Sequence, residues 1–235
     1  MSQIVVKKFG GTSLASASLI RHCAKLVHDS INDVVVVVSA MSGATNNLLK
    51  QVSEFKYSEI SVDMVISTGE QVAAGLFAAA LGELGSASLP MCGWQVPIRV
   101  DNKQIVSVGV DKIKALLERG CIPVITGFQG IDPDGNITTL PRGGSDTTAV
   151  AIAAALGVEC EIYTDVDGVY KYDPNLIQDN NFLYSAIDYE TMLTMSYNGA
   201  KVIHSDAVAI AKKNGVKIRI LSSFNPGAGT TIYYK

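Results

Sequence analysis

Charge is scarce in this chain: Lys, Arg, Asp and Glu make up 17% of its 235 residues, where about a quarter is usual for a globular domain. No block of like charge occurs and the formal net charge is −3. That balance excludes a basic nucleic-acid binder and a protein held to a membrane surface by a cationic patch. There is also no uninterrupted apolar run of the roughly 18 residues needed to span a bilayer; the longest, Val72 to Leu81 and Ala149 to Leu156, fall well short. The N-terminal MSQIVVKKF has neither a long apolar segment nor a cleavage site, so no secretory leader is expected and the cytoplasm is the expected location. Repeats, low-complexity tracts and Pro/Ser-rich linkers are missing as well.

Cysteine and histidine are few and unpatterned. Cys23, Cys92, Cys121 and Cys160 form no C-x-x-C pair and have no histidine at ligand spacing. They read as small buried hydrophobes, with a structural zinc or a disulfide as the alternative. His22, His28 and His204 read as helix-surface or core residues. Two familiar phosphate signatures, G-x-x-x-x-G-K-[ST] and G-x-G-x-x-G, do not occur.

What is present is enough apolar residue, 48%, for one sizeable core, in a chain whose length suits one domain or one domain of two lobes. Apolar runs alternate with helical patterns. Gln3 to Lys8 reads as a strand, broken by Gly10-Gly11-Thr12-Ser13. Ser13 is then placed to cap a helix with Leu19, Ile20, Cys23, Leu26 and Val27 on its apolar face. Val34 to Val38 reads as a strand buried on both faces, the pattern of a parallel sheet under helices. Helices are expected near Leu48, over Ser61 to Ile66 and over Gln71 to Leu84, the last two separated at Thr68-Gly69. Strands follow at Ala87 to Met91, Pro97 to Val100 and Ile122 to Thr126. Gly127 to Leu140 reads as a hairpin around Asp132-Pro133-Asp134-Gly135. A helix from Gly143-Gly144 to Leu156, a strand at Glu161 to Thr164, a helix near Ser205 to Lys213 and a strand at Lys217 to Leu221 complete the pattern. The expected fold is α/β, with a mainly parallel central sheet and ligands bound beyond the carboxyl ends of its strands.

Two strand–Gly-Gly–helix junctions stand out. In Lys8-Phe9-Gly10-Gly11-Thr12-Ser13 the glycines permit close backbone approach to an anion, and Lys8 adds a compact positive charge at the strand end. The alternative is a bare turn. Lys7 points to the opposite side of the strand and reads as structural. In Pro141-Arg142-Gly143-Gly144-Ser145-Asp146 the Arg142 fork suits a carboxylate or phosphate, whereas Asp146 by itself reads as a first-turn carboxylate favoured by the helix dipole.

The strings KFGGTS, VVVVSAMSGATNNLL, STGEQVAAGL, GFQG, RGGSDTTAVAIAAAL, YTDVDGVYKYDP and GAKVIH occur in this order over Val5 to Ile232. Together they resemble the catalytic domain of the aspartate kinases, in the amino acid kinase family. KFGGTS with RGGSDTTA is specific to that group; uridylate, acetylglutamate and carbamate kinases share the fold with different strings there. The resemblance implies a three-layer α/β/α sandwich forming a single domain over 1–235, with an aspartate-binding N-lobe over about 1–140 and a nucleotide-binding C-lobe over about 141–235. It implies transfer of the ATP γ-phosphoryl group to the side-chain carboxylate of L-aspartate, with Mg²⁺ on the phosphates and no protein ligand to it assigned.

By resemblance Lys8 is the transition-state lysine, and Asp146 organises Lys8 and the metal-bound phosphates. Arg142 clamps the α-carboxylate of aspartate, Glu70 meets its α-ammonium group, and Ser39 and Thr45 line that pocket. Phe9, Gly10 and Gly11 join Lys8 at the phosphates, Lys201 and Val202 of GAKVIH lie on the nucleotide, and Thr164, Asp165 and Tyr170 hold adenine and ribose. Read without the resemblance, Glu70 is an ordinary early-helix carboxylate and Tyr170 an ordinary loop aromatic. The sequence departs from the family pattern at Pro141, where Gly is usual, at Asn175, where Arg is usual, and at Ser205, where Pro is common. Aspartate kinases commonly continue into paired ACT regulatory domains, and the sequence ends at Lys235 without them, so no lysine or threonine effector site is expected on it. A homodimer is expected, with Val72 to Leu84 either its contact or simply core. A non-catalytic binding member of the fold, or a kinase for another acid such as glutamate, are the competing readings; neither nucleic acid nor membrane is an expected partner.

Overall fold

Five consecutive valines cannot form a strand with one wet face, because alternate side chains point to opposite sides. In the computed structural model, which describes residues 3–172, 182–200 and 202–234, all five are buried in the interior of a sheet. The strands are β1 (Ile4–Phe9), β2 (Asp33–Val38), β3 (Ser88–Met91), β4 (Ile98–Asp101), β5 (Gln104–Val108), β6 (Ile122–Thr126), β7 (Gln129–Ile131), β8 (Ile137–Thr139), β9 (Glu159–Thr164), β10 (Ala186–Asp188), β11 (Ile218–Ser222) and β12 (Thr230–Tyr233). The helices are α1 (Ala17–His28), α2 (Ala44–Val52), α3 (Glu59–Ile66), α4 (Thr68–Glu83), α5 (Asp111–Leu117), α6 (Gly144–Leu156), α7 (Tyr189–Tyr197) and α8 (Ser205–Asn214).

Eight strands form the main sheet in the order β10-β12-β11-β9-β1-β2-β6-β3, parallel throughout except between β11 and β12. One face packs Val5, Phe9, Val34, Val36 and Val38 against Ile20 and Cys23 of α1 and Phe77 and Leu81 of α4. The other packs Val6, Val35, Val37 and Ile162 against Ala149, Val150 and Ile152 of α6 and Ala207 and Val208 of α8. Each fully buried valine or leucine contributes about 1.5–3 kcal/mol, so the sheet centre, where β1 and β2 lie, is the most firmly held part of the fold. A second sheet has the order β5-β4-β7-β8. Its β7–β8 hairpin turns at Asp132, whose Oδ1 accepts from Asn136 N–H at 2.7 Å, with Gly135 at φ 86° as the turn requires.

Local expectations are met with three differences. Ser13 does not cap α1: a 3₁₀ turn over Thr12–Leu14 intervenes, and the cap is Ser16, whose hydroxyl accepts from Leu19 N–H. Ser13 is instead buried, 2.6 Å from the Ser223 hydroxyl. The break between α3 and α4 falls on Ser67 alone, and Thr68 and Gly69 are helical. Gly69 is there because the helix passes close to the loop after β2; a Cβ would lie 2.9 Å from that of Ala40. β5, β10, β12, α5 and α7 are additions to the expected elements. The four cysteines are free, Cys23 and Cys160 buried and the other two half-buried.

Glu59–Glu83, α3 and α4 together, is long and apolar enough to cross a membrane by length and composition, and half of its most apolar window is buried inside the fold. It packs on α1, β3 and β6. Val72 to Leu84 divides accordingly: Ala73, Ala74, Phe77, Ala80 and Leu81 are core, while Val72, Leu76 and Leu84 are exposed.

Candidate active site

β1 ends between β2 and β9, so whatever its last residues carry is held by neighbours on both sides. Lys8 pairs in register with Val37 of β2 and Ile162 of β9 and points to the α6 face. Its ammonium group lies 2.6 Å from Asp146 Oδ1, with both side chains about nine-tenths buried. Asp146 sits in the first turn of α6, where the helix dipole favours a carboxylate. That turn exists because Gly143 adopts φ 79°, a left-handed conformation costly for a residue with a Cβ. The two Gly-Gly junctions, far apart in sequence, thus converge on one ion pair.

The loop after β2 closes a second side. Ser39 N–H donates to Phe9 C=O at 3.1 Å, and Ser42 N–H to Gly11 C=O at 3.1 Å. Gly11 approaches so closely that a Cβ would lie 2.7 Å from Ala40 C=O. Glu70, in the first turn of α4 and 3% exposed, accepts Ala40 N–H at 3.0 Å through Oε1. Its Oε2 is buried with no hydrogen-bond partner among the described residues. Burial pushes the Glu70 carboxyl up to about 7, against the opposing pull of the Ala40 N–H. Ser39 and Thr45 are half-buried, at the end of β2 and in the first turn of α2.

Arg142 lies on the exposed turn between β8 and α6 and has no ion-pair partner among the described residues. It borders a cleft of about 290 Å³ with Thr147, Asp206 and Lys213. Ser39, Thr45 and Glu70 do not line that cleft. Two residues that sequence reasoning did not single out complete the turn. The His204 side chain packs on Gly143, where a Cβ would come within 2.3 Å of the His204 Cβ, and also caps α8. Phe128, just beyond β6, has φ 67°, its N–H held by the Thr148 hydroxyl at 3.1 Å and its ring against Gly144. A left-handed phenylalanine costs about 1–3 kcal/mol and persists only where its surroundings impose it. The signal for His204 lay in GAKVIH, and that for Phe128 in GFQG.

On the other side of β1 the register places Phe9 opposite Tyr163, so Gly10 adjoins Thr164. Gly10 N–H donates to Tyr163 C=O at 3.2 Å. Phe9 offers only backbone here: its ring is fully buried, stacked on Tyr163 with centroids 4.9 Å apart. The Thr164 hydroxyl donates to Asp165 Oδ1 at 3.0 Å. Asp165 is exposed, and Tyr170, bridged to Leu183, is half-buried, as is Val202. Lys201 and Asn175 lie outside the described residues. Lys7, on the opposite sheet face, pairs with Glu161 at 3.1 Å, and Glu161 also meets Arg219 at 3.0 Å.

A buried lysine–carboxylate pair at the strand ends, framed by two glycine junctions, is the equipment of phosphoryl transfer, where positioned charge does most of the work. The model of the amino acid kinase family matches residues 3–222, and the chain belongs to that family. The aspartokinase of Geobacillus stearothermophilus is 43% identical over 240 residues, covering 97% of this chain and 58% of that protein. Aspartate kinase from Synechocystis superposes with a TM-score of 0.88 at 38% identity, over 98% of this chain and 40% of that one. E. coli aspartokinase III in complex with aspartate and ADP superposes with a TM-score of 0.85 at 26% identity, over 99% of this chain and 65% of that one. The chain therefore spans little more than half the length of the curated relatives it matches.

Proposed function

We propose that this chain is the catalytic domain of an aspartate kinase, acting in the cytoplasm at the entry to lysine, threonine, methionine and diaminopimelate synthesis. A carboxylate oxygen of L-aspartate bonds to the γ-phosphorus of ATP as the bond to the β–γ bridging oxygen breaks, giving 4-phospho-L-aspartate and ADP. The nucleophile is a carboxylate with a pKa near 3.9, so no general base is needed. The barrier is repulsion between two anions and charge on the transferred group, and Lys8, held by Asp146, supplies the opposing charge. The observations that carry the reading are the buried Lys8–Asp146 pair and the unpartnered Glu70 Oε2. A buried carboxylate oxygen without a partner fits an ammonium group, and Arg142 supplies the fork for the α-carboxylate.

Residues 1–140, approximately, contribute most of the amino-acid side and the rest of the chain most of the nucleotide side, with Arg142 reaching the amino acid and Gly10, Gly11, Thr164, Asp165, Tyr170, Lys201 and Val202 along ATP. Among the described residues no group of three or more His, Cys, Asp or Glu side chains is disposed to hold a metal ion. Mg²⁺ would be carried by phosphate oxygens and water, with the Asp146 carboxylate the hard oxygen donor for its shell. Bound there, the ion neutralises phosphate charge. We further propose a homodimer through the exposed face of α3 and α4, where Ile60, Met64, Val72 and Leu76 recur at multiples of four residues.

The deciding experiment is ADP release by the purified chain with L-aspartate, hydroxylamine to trap the acyl phosphate, and L-glutamate as control. Aspartate-dependent ADP and hydroxamate support the reading. Nucleotide binding without turnover favours the binding-only alternative, and turnover with glutamate alone favours another acid.

A further inference from the structure

The β7–β8 hairpin grips the joint between α3 and α4 at two points, and both points belong to one rung of its ladder. Gln129 and Thr139 face each other in register. Gln129, fully buried, donates from Nε2 to Ser67 C=O at 2.8 Å, the residue at which the two helices meet. Thr139 donates twice to Asp63, from its N–H to Oδ2 at 3.1 Å and from its hydroxyl to Oδ1 at 2.5 Å. Asp63 and Ser67 are one helical turn apart, joined by Ser67 N–H to Asp63 C=O at 3.1 Å. Asp63 is 5% exposed, and its countercharge is Lys103, 2.7 Å from Oδ2, which reaches in from the β4–β5 turn and also meets Glu59 at 2.8 Å.

Such a polar rung costs more to bury than an apolar one unless its bonds are made. What it supplies is direction, since a hydrogen bond fixes position where apolar packing permits sliding. Both grip points lie close to residues assigned to the amino-acid substrate. Ser67 precedes Glu70 by less than one turn of the same backbone, and Thr139 leads through Leu140 and Pro141 into Arg142, with φ fixed at the proline. The hairpin also begins at the strained Phe128, whose ring lies on Gly144 of α6.

We propose that the Gln129–Thr139 rung, with Asp63 and Ser67, is a positioning device that sets Glu70 against Arg142 and so governs amino-acid affinity. This rests on the function proposed above. The four residues touch no reacting atom; they act by fixing the start of α4 to the start of the Arg142 turn.

The test compares the full chain with Thr139→Val, which keeps shape and backbone N–H but loses the hydroxyl bond, with Gln129→Met, and with Thr139→Ser as the rescue. Thr139→Val and Gln129→Met are each expected to raise the aspartate KM about tenfold while changing kcat and the ATP KM by no more than about twofold, since a displaced binding group mainly affects its own ligand. Thr139→Ser is expected to restore the aspartate KM. Amide hydrogen exchange supplies a second readout that needs no activity: protection should fall together at residues 68–71 and 140–146 in Thr139→Val and in Gln129→Met, and not in Thr139→Ser. An aspartate KM unchanged while thermal stability drops overturns the proposal, as does a parallel rise in the ATP KM. Exchange that increases only on the mutated strand overturns it too, even if a variant is too unstable for kinetics. Wild-type protein without aspartate-dependent ADP release overturns the functional reading instead, and the exchange result then decides the coupling by itself.

Discussion

Lys7 and Lys8 are adjacent in β1, yet their ammonium groups lie on opposite faces of the sheet, each on a carboxylate of its own: Glu161 at 3.1 Å and Asp146 at 2.6 Å. One pair closes a polar patch of the core; the other sits at the mouth of the site. The alternation of a strand is enough to separate the roles.

Lys8→Ala should therefore lower kcat by about a hundredfold or more, the scale of removing one transition-state donor, with a smaller change in either KM. Circular dichroism must show the variant folded, because Asp146 is left buried without its partner; Lys8→Arg keeps that charge and is the control for folding. Lys7→Met should cost about 1–3 kcal/mol of stability, since Arg219 and the Tyr163 hydroxyl still serve Glu161, and leave kcat within about threefold. Activity within about threefold of wild type in Lys8→Ala would remove the lysine from the mechanism.

Glu70 links stability to pH. Its carboxyl is raised from 4.5 to about 7 in the folded chain, so between those values the unfolded chain has already lost the proton that the folded chain retains. Its contribution is full below pH 4.5 and is lost as pH rises through about 7, up to about 3 kcal/mol in all. Glu70→Gln should flatten that slope in denaturant titrations and be the more stable protein above pH 7, while losing aspartate binding. In the wild type the aspartate KM should fall as pH rises from 6 to 8, because the ammonium group pairs with the ionised carboxylate. A KM flat over that range would contradict the pairing.

Arg142→Ala should weaken aspartate binding and leave ATP binding nearly intact, since its proposed ligand is the α-carboxylate of the amino acid. Arg142→Lys should rescue poorly, because a point charge does not reproduce the two-pronged contact of a guanidinium with a carboxylate. Calorimetric titration with each ligand separates the outcomes. Loss of ATP affinity alongside aspartate affinity would assign Arg142 to the phosphates instead.

Gly143→Ala meets two obstacles at once, a φ of 79° and the His204 side chain within 2.3 Å of the new carbon. Misplacing the start of α6 should cut kcat by about a hundredfold, as misplacement of about 1 Å does elsewhere. Adding His204→Gly, which deletes the Cβ as well as the ring, removes the collision but not the backbone strain, which is worth about 1 kcal/mol. The double variant should recover part of the activity, and no recovery would mean that His204 is not what the glycine accommodates.

The parallel sheet was legible because Val34 to Val38 admits no exposed face, and the Lys8–Asp146 pair of the candidate site because its glycines and charges stand in short strings at strand ends. The Ser13 cap was misplaced because a short turn between a strand and a helix leaves no periodicity to read. β5, β10 and β12 escaped notice because they are short and partly exposed, so alternation is blurred. Glu70 is the instructive case: a carboxylate in the first turn of a helix looks solvated, and only the tertiary approach of Ala40, permitted by Gly69, shows that it is buried. The Gln129–Thr139 rung was illegible for a similar reason, since its partners Ser67 and Asp63 belong to another element.

β1 lies at the centre of the sheet, but its neighbour β9 begins only at Glu159. During synthesis the first strand can pair with β2 soon after it emerges, whereas its other edge waits until most of the chain exists. Parallel pairings between distant segments form slowly, and an open apolar edge invites pairing with another molecule. The sequence IVVKKF carries two positive charges on that edge, on alternate sides. Replacing both lysines by valine should raise aggregation during refolding, measured by light scattering, more than either single change does; equal scattering would refute this. On the roles proposed above, the charges that the finished sheet would divide between chemistry and packing would also guard the growing chain while it is still incomplete.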